Sequence, residues 1–202
     1  NLLPLRELGS RWEILKKHKY FRGINENMSL DNSIHSFFGA SKCYADLIVQ
    51  EYGKNVGLKT VCFRAGCITG PNHSGAKLHG FLSYLVKLSL TKKKYSLIGY
   101  KGKQVRDNIH SNDLINMFWQ FFNNPKMGEV YNVGGGTFSN CSIIEAISII
   151  EELSGIKMKF KISGENRKGD HKWWISNLEK YKSHFPDWTH SYDIKLIIEE
   201  LI

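Results

Sequence analysis

Residues 38–64, FGASKCYADLIVQEYGKNVGLKTVCFR, predict a helix followed at once by a buried strand. From Phe38 to Val56 the apolar side chains recur at the three- and four-residue spacing of one helix face, and Gly57 is the residue type that commonly ends a helix. Lys59–Arg64 is rich in β-forming residues and therefore predicts a strand. This succession decides the fold class, because it recurs along the rest of the chain.

The alternation of helices and strands continues toward the C-terminus. Helices are predicted at His79–Leu90, at Ser111–Phe122 and from a capping box at Ser142 and Glu145 to Gly155, and strands are predicted at Tyr95–Ile98, Val105–Ile109 and Glu129–Val133. Alternating elements of this kind imply an α/β fold with a largely parallel sheet. The first thirty-odd residues show only weak periodicity, so we expect an irregular segment there.

A glycine-rich turn after a first strand is missing from the sequence. Such a turn normally opens a dinucleotide-binding sheet, where the N–H groups of a helix N-terminus hold the pyrophosphate. Gly134–Gly136 is the nearest candidate, but it follows a late strand and lacks the GxGxxG spacing. Since the chain also starts with Asn1 rather than Met, we expect an N-terminally truncated sequence.

The net charge of +9 on 202 residues suggests an anionic partner without identifying it. Nucleic acid, a small phosphorylated ligand, and lysines that merely keep a surface soluble all fit this charge. The lysine runs Lys16–Lys17 and Lys92–Lys94 are expected on loops or helix ends. The charge alone leaves all three interpretations open, although soluble surface lysines are the commonest case.

Targeting and metal signals are not found in the sequence. The first residues are not a signal peptide, and no apolar run approaches the roughly 20 residues that span a bilayer. The four cysteines, Cys43, Cys62, Cys67 and Cys141, lack zinc-ligand spacing. We therefore expect reduced thiols and no metal in a cytoplasmic protein.

Three segments carry candidate functional side chains. Phe38 and Lys42 share a helix face, where the lysine fits a cofactor ribose but is more commonly an ordinary helix-start residue. Arg106 has the planar donor fork that suits a phosphate, or it pairs with the neighbouring Asp107. Arg167 lies in a charged loop that either binds a second phosphate or is simply solvated.

The loop after the first predicted strand is a further candidate. Arg64–His73 leaves the carboxyl end of a strand, where ligands bind in open α/β sheets. A single histidine such as His73 is more often a surface residue than a catalyst.

Taken in order, these segments resemble the extended branch of the short-chain dehydrogenase/reductase family, which contains nucleotide-sugar epimerases and dehydratases. The family carries a YxxSK helix, a strand ending in Arg, a YGP-like loop, a GxQxRDxxHVxD segment, a YNxGxG strand end and a late RxGD loop. The matching stretches are Phe38–Lys42, Phe63–Arg64, Thr69–Pro71, Gly102–Asp107 with His110 and Asp113, Tyr131–Gly134, and Arg167–Asp170. The resemblance covers nearly the whole chain.

The resemblance implies the C-terminal part of a doubly wound, Rossmann-type parallel sheet plus a smaller mixed α/β substrate-binding lobe. Residues 1–71 and 105–135 would be the remainder of the NAD-binding domain. Residues 72–104 and 136–202 would be the nucleotide-sugar lobe. The expected partners are NAD and a nucleotide-diphosphate sugar, with no nucleic acid and no membrane, and the full-length protein is expected to be a homo-oligomer.

The resemblance also implies a reaction. NAD takes a hydride from a sugar carbon, which leaves a transient keto-sugar, and the hydride returns to the other face, while the family tyrosine moves the hydroxyl proton. The stretches Gly70–His73, Leu78–Phe81 and Trp173–Trp174 look most like CDP-paratose 2-epimerases (CDP-tyvelose epimerases), which implies C2 epimerisation of a CDP-hexose in O-antigen lipopolysaccharide biosynthesis. A UDP- or dTDP-sugar 4-epimerase or 4,6-dehydratase is the alternative within the family.

Site roles follow from the same resemblance. Lys42 and the tyrosine position, Phe38, are the catalytic pair. The predicted cofactor-binding residues are Lys42, Arg64, Gly66, Cys67 and Ile68, and the predicted substrate-binding residues are Asn72, His73, Leu78, His79, Gln104, Arg106, Arg167 and Asp170.

Phe38 departs from the family pattern, because a phenyl ring neither donates nor accepts a proton. Another group then acts as base, or the protein binds nucleotide sugars without turning them over, or Phe38 is an introduced change. The nearby candidates for a substitute base are His35, Cys67 and His73.

Overall fold

A computed structural model describes residues 3–30, 35–76, 79–163 and 170–202. The strands are β1 (Leu5–Glu7), β2 (Trp12–Ile14), β3 (Val61–Ala65), β4 (Cys67–Thr69), β5 (Tyr95–Leu97), β6 (Val105–His110), β7 (Glu129–Val133), β8 (Asn140–Ser142), β9 (Phe160–Ile162) and β10 (Trp173–Trp174). The helices are α1 (Phe37–Val56), α2 (Phe81–Leu90), α3 (Ser111–Asn123), α4 (Ile143–Ser154), α5 (Glu179–His184) and α6 (Ile194–Leu201), with a short 3₁₀ turn at Tyr100–Gly102.

The ends of α1 and α4 lie close to where the sequence signals predict them. The Ser36 side chain accepts a hydrogen bond from the backbone N–H of Gly39 and caps α1, which ends at Gly57 in the left-handed conformation (φ 77°). Ser142 and Glu145 form the reciprocal capping box of α4, and Gly155 ends it at φ 69°. These caps satisfy backbone groups that a helix end otherwise leaves without partners.

The strands pair mainly in parallel, which confirms the predicted α/β class. β3 pairs with β7, β6 lies between β4 and β10, and β5 pairs with β9, all in parallel. The exceptions are β6 with β8 and the N-terminal hairpin of β1 and β2, which are antiparallel. The hairpin contradicts the expectation of an irregular first segment. The sequence did not reveal it because strands of three residues are too short to show a period.

Three buried clusters hold these pieces together. The largest joins α2, α4, α6 and β5 around residues such as Leu85, Ile150 and Ile197. A second cluster, half of whose buried residues are aromatic, joins α3, α5 and β7, and a third packs the N-terminal hairpin on β6 and β10. Each fully buried aliphatic side chain contributes about 1.5–3 kcal/mol, so the first cluster is the main source of stability for the part of the protein formed by α2, α4, α6 and β5.

One edge of β3 has no strand partner within the described residues. Alternate β3 side chains face opposite helices: Phe63 packs against Phe118 of α3, and Arg64 binds Asp46 of α1. Both helices leave large apolar side chains exposed. They include Phe37, Phe38, Tyr44, Leu47, Tyr52 and Val56 on α1, and Ile115, Phe118, Trp119 and Phe122 on α3.

We predict that the 202-residue chain expressed alone self-associates through these faces, because strands of a parallel sheet are normally covered on both sides. Changing Trp119 and Phe122, which are 61% and 72% exposed, to lysine should shift the chain toward monomer in size-exclusion chromatography with light scattering. The same change at Leu15, which is 48% exposed on another surface, is the control. A soluble monomer of the parent chain with a sharp, cooperative melt would contradict the prediction.

Candidate functional site

The start of α1 brings Phe38 and Lys42 together, as the four-residue spacing predicts. The Lys42 Nζ lies 5.5 Å from the centre of the Phe38 ring, and Phe38 is 72% exposed. The Ser41 hydroxyl donates to the Phe38 carbonyl at 2.8 Å. An exposed cation–π contact of this kind contributes about 0.5–1 kcal/mol, but the ring supplies no group that transfers a proton.

Arg106 lies at the centre of a polar cluster at the start of β6. Its Nη2 donates to Asp170 Oδ1 and to the His171 carbonyl, both at 2.5 Å, and its Nη1 donates to the Val105 carbonyl at 2.7 Å. A guanidinium has five N–H donors, so two remain for a ligand among the contacts of the described residues. Arg106 is thus held in one orientation while part of its donor fork stays available.

The turn between β5 and β6 completes this cluster. Gln104 Nε2 donates to the Ile98 carbonyl at 2.9 Å, and the Tyr100 hydroxyl donates to the Asp170 carbonyl at 3.3 Å. Gly99 has a φ of 82°, which lets the chain turn sharply immediately after β5. The carboxyl end of β5 therefore meets Arg106 and Asp170, and we call Gln104, Arg106, Asp170 and His171 the Arg106 cluster.

Cys67 and His171 lie close enough to Arg106 for its charge to affect their pKa values. Burial raises the pKa of Cys67 to about 11 despite the nearby guanidinium, so the thiol is a poor base at neutral pH. Burial and then the Arg106 charge lower the pKa of His171, whose ring centre lies 5.6 Å from that of Trp174. His171 is therefore a neutral hydrogen-bonding group at pH 7.

Asp107 is directed away from Arg106 and into the protein. Its Oδ2 accepts from the backbone N–H of Gly136 at 3.0 Å and of Ser176 at 2.9 Å, while Oδ1 is buried without a hydrogen-bond partner among the described residues. Burial raises the pKa of this carboxyl to about 6, although the two N–H donors oppose the shift. Asp107 connects β6 to two loops and is not part of the ligand-facing cluster.

The glycine run Gly134–Gly136 packs against its own protein. A Cβ at Gly134 would overlap the Asp107 carboxylate, and one at Gly135 would overlap the backbone oxygens of Asn108 and Ser139. The run therefore offers no space to a pyrophosphate, in agreement with its wrong spacing. Gly66 is also constrained, since a Cβ there would lie 3.2 Å from Asp107 Oδ1.

Arg64 has a visible structural role. Its Nε and Nη2 donate to the two carboxylate oxygens of Asp46 on α1 at 2.9 and 2.8 Å. These hydrogen bonds lower the pKa of Asp46, with burial acting in the opposite direction. The fork of Arg64 therefore joins β3 to α1, and its cofactor role stays a prediction.

The remaining predicted residues lie outside the Arg106 cluster or outside the described residues. The backbone N–H of His73 donates to the Gly70 carbonyl at 3.0 Å, and its ring packs against Gly80 ahead of α2. Asn72 is exposed in the same turn, Ile68 is 38% exposed on β4, and His79 pairs with Ala76. Leu78 and Arg167 fall outside the described residues.

Sequence reasoning did not identify His171, Tyr100 and the structural role of Asp107. The inward orientation of Asp107 could have been predicted from the strand. Adjacent residues of a strand face opposite sides of the sheet, so Arg106 and Asp107 cannot form an ion pair with each other. For His171 and Tyr100 the sequence holds no local signal, since their contacts cross about 70 residues.

Among the described residues no helix is long and apolar enough to cross a membrane. The four cysteines form no disulfide, and Cys141 is the one that is fully buried.

Comparison with known proteins gives a consistent family. Residues 20–134 match the family described as NAD dependent epimerase/dehydratase. CDP-paratose 2-epimerase from Salmonella typhi is 27% identical over 179 residues, which cover 86% of this chain and 52% of that protein. The chain thus spans about half the length of the curated relatives it matches.

Solved structures agree with this family. The dTDP-glucose 4,6-dehydratase of Bacillus anthracis in complex with NAD has a TM-score of 0.69 and 27% identity, covering 84% of this chain and 51% of the other. The UDP-glucose 4-epimerase of Thermus thermophilus in complex with NAD has a TM-score of 0.72 and 20% identity, covering 90% and 60%. Because the identity to the Thermus thermophilus enzyme is only 20%, this second similarity shows the fold alone.

The buried Asp107 predicts a pH-dependent stability. Its pKa of about 6 lies above the value near 4 of an unfolded chain, so the folded chain retains a proton that the unfolded chain releases. Its contribution to stability is complete below about pH 4 and is lost as the pH rises through about 6. We expect the free energy of unfolding to fall by roughly 2–3 kcal/mol over this range, and the fall to be absent in Asp107→Asn.

Urea titrations followed by tryptophan fluorescence between pH 4 and 7 measure this difference. Asp187→Asn, which changes an exposed carboxylate, is the control and should keep the parent profile. Parallel profiles for the parent and Asp107→Asn would show that the Asp107 carboxyl does not titrate in this range.

Proposed function

The chain belongs to the NAD dependent epimerase/dehydratase family, and we propose that it forms the substrate-binding part of an NAD-dependent epimerase of a nucleotide-diphosphate sugar. The observation that carries the proposal is the Arg106 cluster, which holds a guanidinium at the carboxyl end of β5 with two donors available. The finer proposal is C2 epimerisation of a CDP-hexose, CDP-paratose to CDP-tyvelose, and the similarity to the Salmonella typhi protein supports it.

In this proposal Arg106 binds the diphosphate of the substrate. Asp170 and the His171 carbonyl hold Nη2 of the guanidinium, so little conformational entropy is lost when a phosphate binds the remaining Nε or Nη1 donor. Each of these donors would bind one phosphate oxygen through a charge-assisted hydrogen bond. Gln104 fixes the turn at Ile98 and so sets the position of the cluster relative to β5.

NAD is the proposed cofactor, and the described residues fit only one end of it. Lys42 is exposed at the start of α1, where its ammonium can bind the ribose hydroxyls next to the nicotinamide. NAD when bound supplies the hydride acceptor and donor. Within the described residues we find no open glycine-rich turn for the pyrophosphate, since Gly134–Gly136 is filled by its own neighbours.

The proposal includes the domain division that the sequence predicts. Residues 1–71 and 105–135 would contribute to the NAD side, and residues 72–104 and 136–202 to the nucleotide-sugar side. Assembly as a homo-oligomer, a cytoplasmic location and a role in O-antigen synthesis are parts of the same proposal.

A second candidate function is nucleotide-sugar binding without turnover. It is favoured by Phe38, because the residue beside Lys42 has no proton to transfer and Cys67 holds its proton at neutral pH.

A third candidate, a 4-epimerase or 4,6-dehydratase of a UDP- or dTDP-sugar, keeps the same site and changes the product. The 27% identity to the Bacillus anthracis dehydratase supports that alternative.

Removing the Arg106 fork should weaken nucleotide-sugar binding. We expect Arg106→Gln to raise the Kd for a CDP-hexose about ten- to a hundredfold, since hydrogen bonds to charged groups contribute about 1.5–3 kcal/mol. Isothermal titration calorimetry measures this change. Arg22→Gln, at an arginine whose side chain is 82% exposed and lies outside the cluster, should leave the Kd unchanged. Equal affinity in Arg106→Gln and the parent would overturn the proposed diphosphate site.

Restoring a phenol at position 38 separates the enzyme from the binding protein. If the missing proton transfer limits the reaction, Phe38→Tyr should raise turnover of CDP-paratose with NAD about 10²–10⁴-fold. Chromatography of the sugar nucleotides identifies the product: CDP-tyvelose from CDP-paratose indicates the 2-epimerase, whereas with UDP- or dTDP-glucose as substrate a C4 epimer indicates the 4-epimerase and a 4-keto-6-deoxy sugar indicates the dehydratase. The comparison uses full-length protein, where turnover in neither variant, together with unchanged CDP-hexose binding, would favour the binding function instead.

A further inference from the structure

A histidine side chain lies against the first turn of α1, close to the position that Phe38 occupies. His35 directly precedes Ser36, the residue that caps this helix. A Cβ built on Gly39 would lie 3.5 Å from the His35 Cβ and 4.0 Å from its Nδ1, so the imidazole and Gly39 are in van der Waals reach of each other. The ring is thus placed at the start of the helix that carries Lys42.

The helix period brings this ring toward the lysine. Residues three and four apart are neighbours on a helix surface, so both Gly39 and Phe38 adjoin Lys42. The Lys42 Nζ lies 5.5 Å from the centre of the Phe38 ring. His35 and Phe38 are both exposed, so a ligand can reach this part of α1 from solvent. An imidazole in this place is a proton-transfer group beside the position of the family tyrosine.

A contact with the preceding segment sets the tautomer of the His35 ring. Its Nε2 contacts the carbonyl oxygen of Leu30. A carbonyl oxygen only accepts hydrogen bonds, so Nε2 carries the proton of the neutral imidazole and Nδ1 carries the lone pair. Nδ1 is also the ring nitrogen that lies toward Gly39. The neutral ring therefore directs its basic nitrogen to α1.

His35 also lies within electrostatic reach of the Arg106 cluster. The pKa of His171 is lowered first by burial, then by Arg106, and to a smaller extent by the charge of His35. The carbonyl of His171, together with Asp170, holds the guanidinium that the proposed function assigns to the diphosphate. The ring of His35 is therefore near Lys42 on one side and near the residues of the proposed diphosphate site on the other.

The two other candidates for a substitute base are less suited to this role. Burial raises the pKa of Cys67 to about 11, so its thiol keeps its proton at neutral pH. His73 packs its ring against Gly80, the residue before α2, and so belongs to the start of another helix. Of the three, His35 is the candidate that adjoins the tyrosine position.

We propose that His35 is the acid–base residue that replaces the missing tyrosine hydroxyl, which rests on the proposed function as an NAD-dependent epimerase. When the sugar carbon is oxidised, the hydroxyl O–H bond breaks and its proton passes to His35 Nδ1. The electron pair left on the oxygen forms the C=O bond, while the C–H pair leaves as a hydride to bound NAD. On the return, the hydride adds to the other face of the keto-sugar, and the imidazolium gives its proton back to the oxygen.

Turnover by the full-length protein with NAD tests the role of His35, with CDP-paratose, UDP-glucose and dTDP-glucose as substrates. His35→Gln should lower turnover about 10²–10⁴-fold and leave the Kd for the CDP-hexose unchanged, because only proton transfer is lost. Adding Phe38→Tyr to His35→Gln should restore turnover, since a phenol beside Lys42 then takes the proton. A merely structural role of His35 would not be restored by a change at another residue.

The matched control is His18→Gln, at a histidine of the N-terminal segment whose ring accepts from the backbone N–H of Tyr20. It should keep the turnover of the parent protein. Phe38→Tyr alone should change turnover little, because His35 already transfers the proton in the parent protein.

Chemical modification gives a readout that does not depend on turnover. Diethylpyrocarbonate acylates accessible imidazoles, and peptide mass spectrometry locates the modified residues. A bound CDP-hexose should slow the modification of His35 and leave that of His18 unchanged.

Two kinds of failure are distinguishable. Parent-like turnover in His35→Gln, or modification of His35 at the same rate with and without the CDP-hexose, would overturn the role of His35 while the proposed function stands. A full-length parent protein that binds the CDP-hexose but converts none of the three substrates would overturn the proposed catalysis, and the role of His35 with it.

Discussion

The buried carboxylate of Asp107 is the contact on which the arrangement of the site depends. It accepts two backbone hydrogen bonds, from Gly136 after β7 and from Ser176 after β10, and so joins three segments at one point. The close packing of Gly134 against this carboxylate leaves no room for a side chain. Because β6 is fixed from the inside in this way, its next residue toward the N-terminus, Arg106, is directed to the outside, where Asp170 receives it.

This alternation explains which parts of the site could be predicted from the sequence. Helix ends at Gly57 and Gly155 and the capping box at Ser142 were predictable because each depends on residues within one turn. The pairing of Arg106 was left open between a ligand phosphate and Asp107, and the structure gives it Asp170, 64 residues away. The strand period excludes Asp107 as the partner, but nothing in the local sequence points to Asp170 except the resemblance to the RxGD loop.

The N-terminal hairpin could not be predicted for a related reason. Its two strands have three residues each, and their side chains find partners far along the chain: Trp173 donates to Glu13 at 2.9 Å, and Lys103 donates to Glu7 at 2.7 Å. Residue types that form such contacts are also common in loops, so composition does not distinguish a short hairpin from an irregular segment.

Binding and proton transfer are separable in this fold because different segments carry them. The Arg106 cluster is built from the turn after β5, the start of β6 and the segment at Asp170, and its hydrogen bonds among the described residues join these segments to one another and not to α1. Phe38 and Lys42 belong to α1, which is joined to the sheet through Asp46 and Arg64. Replacing tyrosine by phenylalanine at position 38 therefore removes the proton donor without disturbing the residues proposed to hold the substrate. Under the proposed function, nucleotide-sugar affinity would therefore not by itself establish catalysis, because catalysis would need a proton-transfer group that Phe38 does not supply.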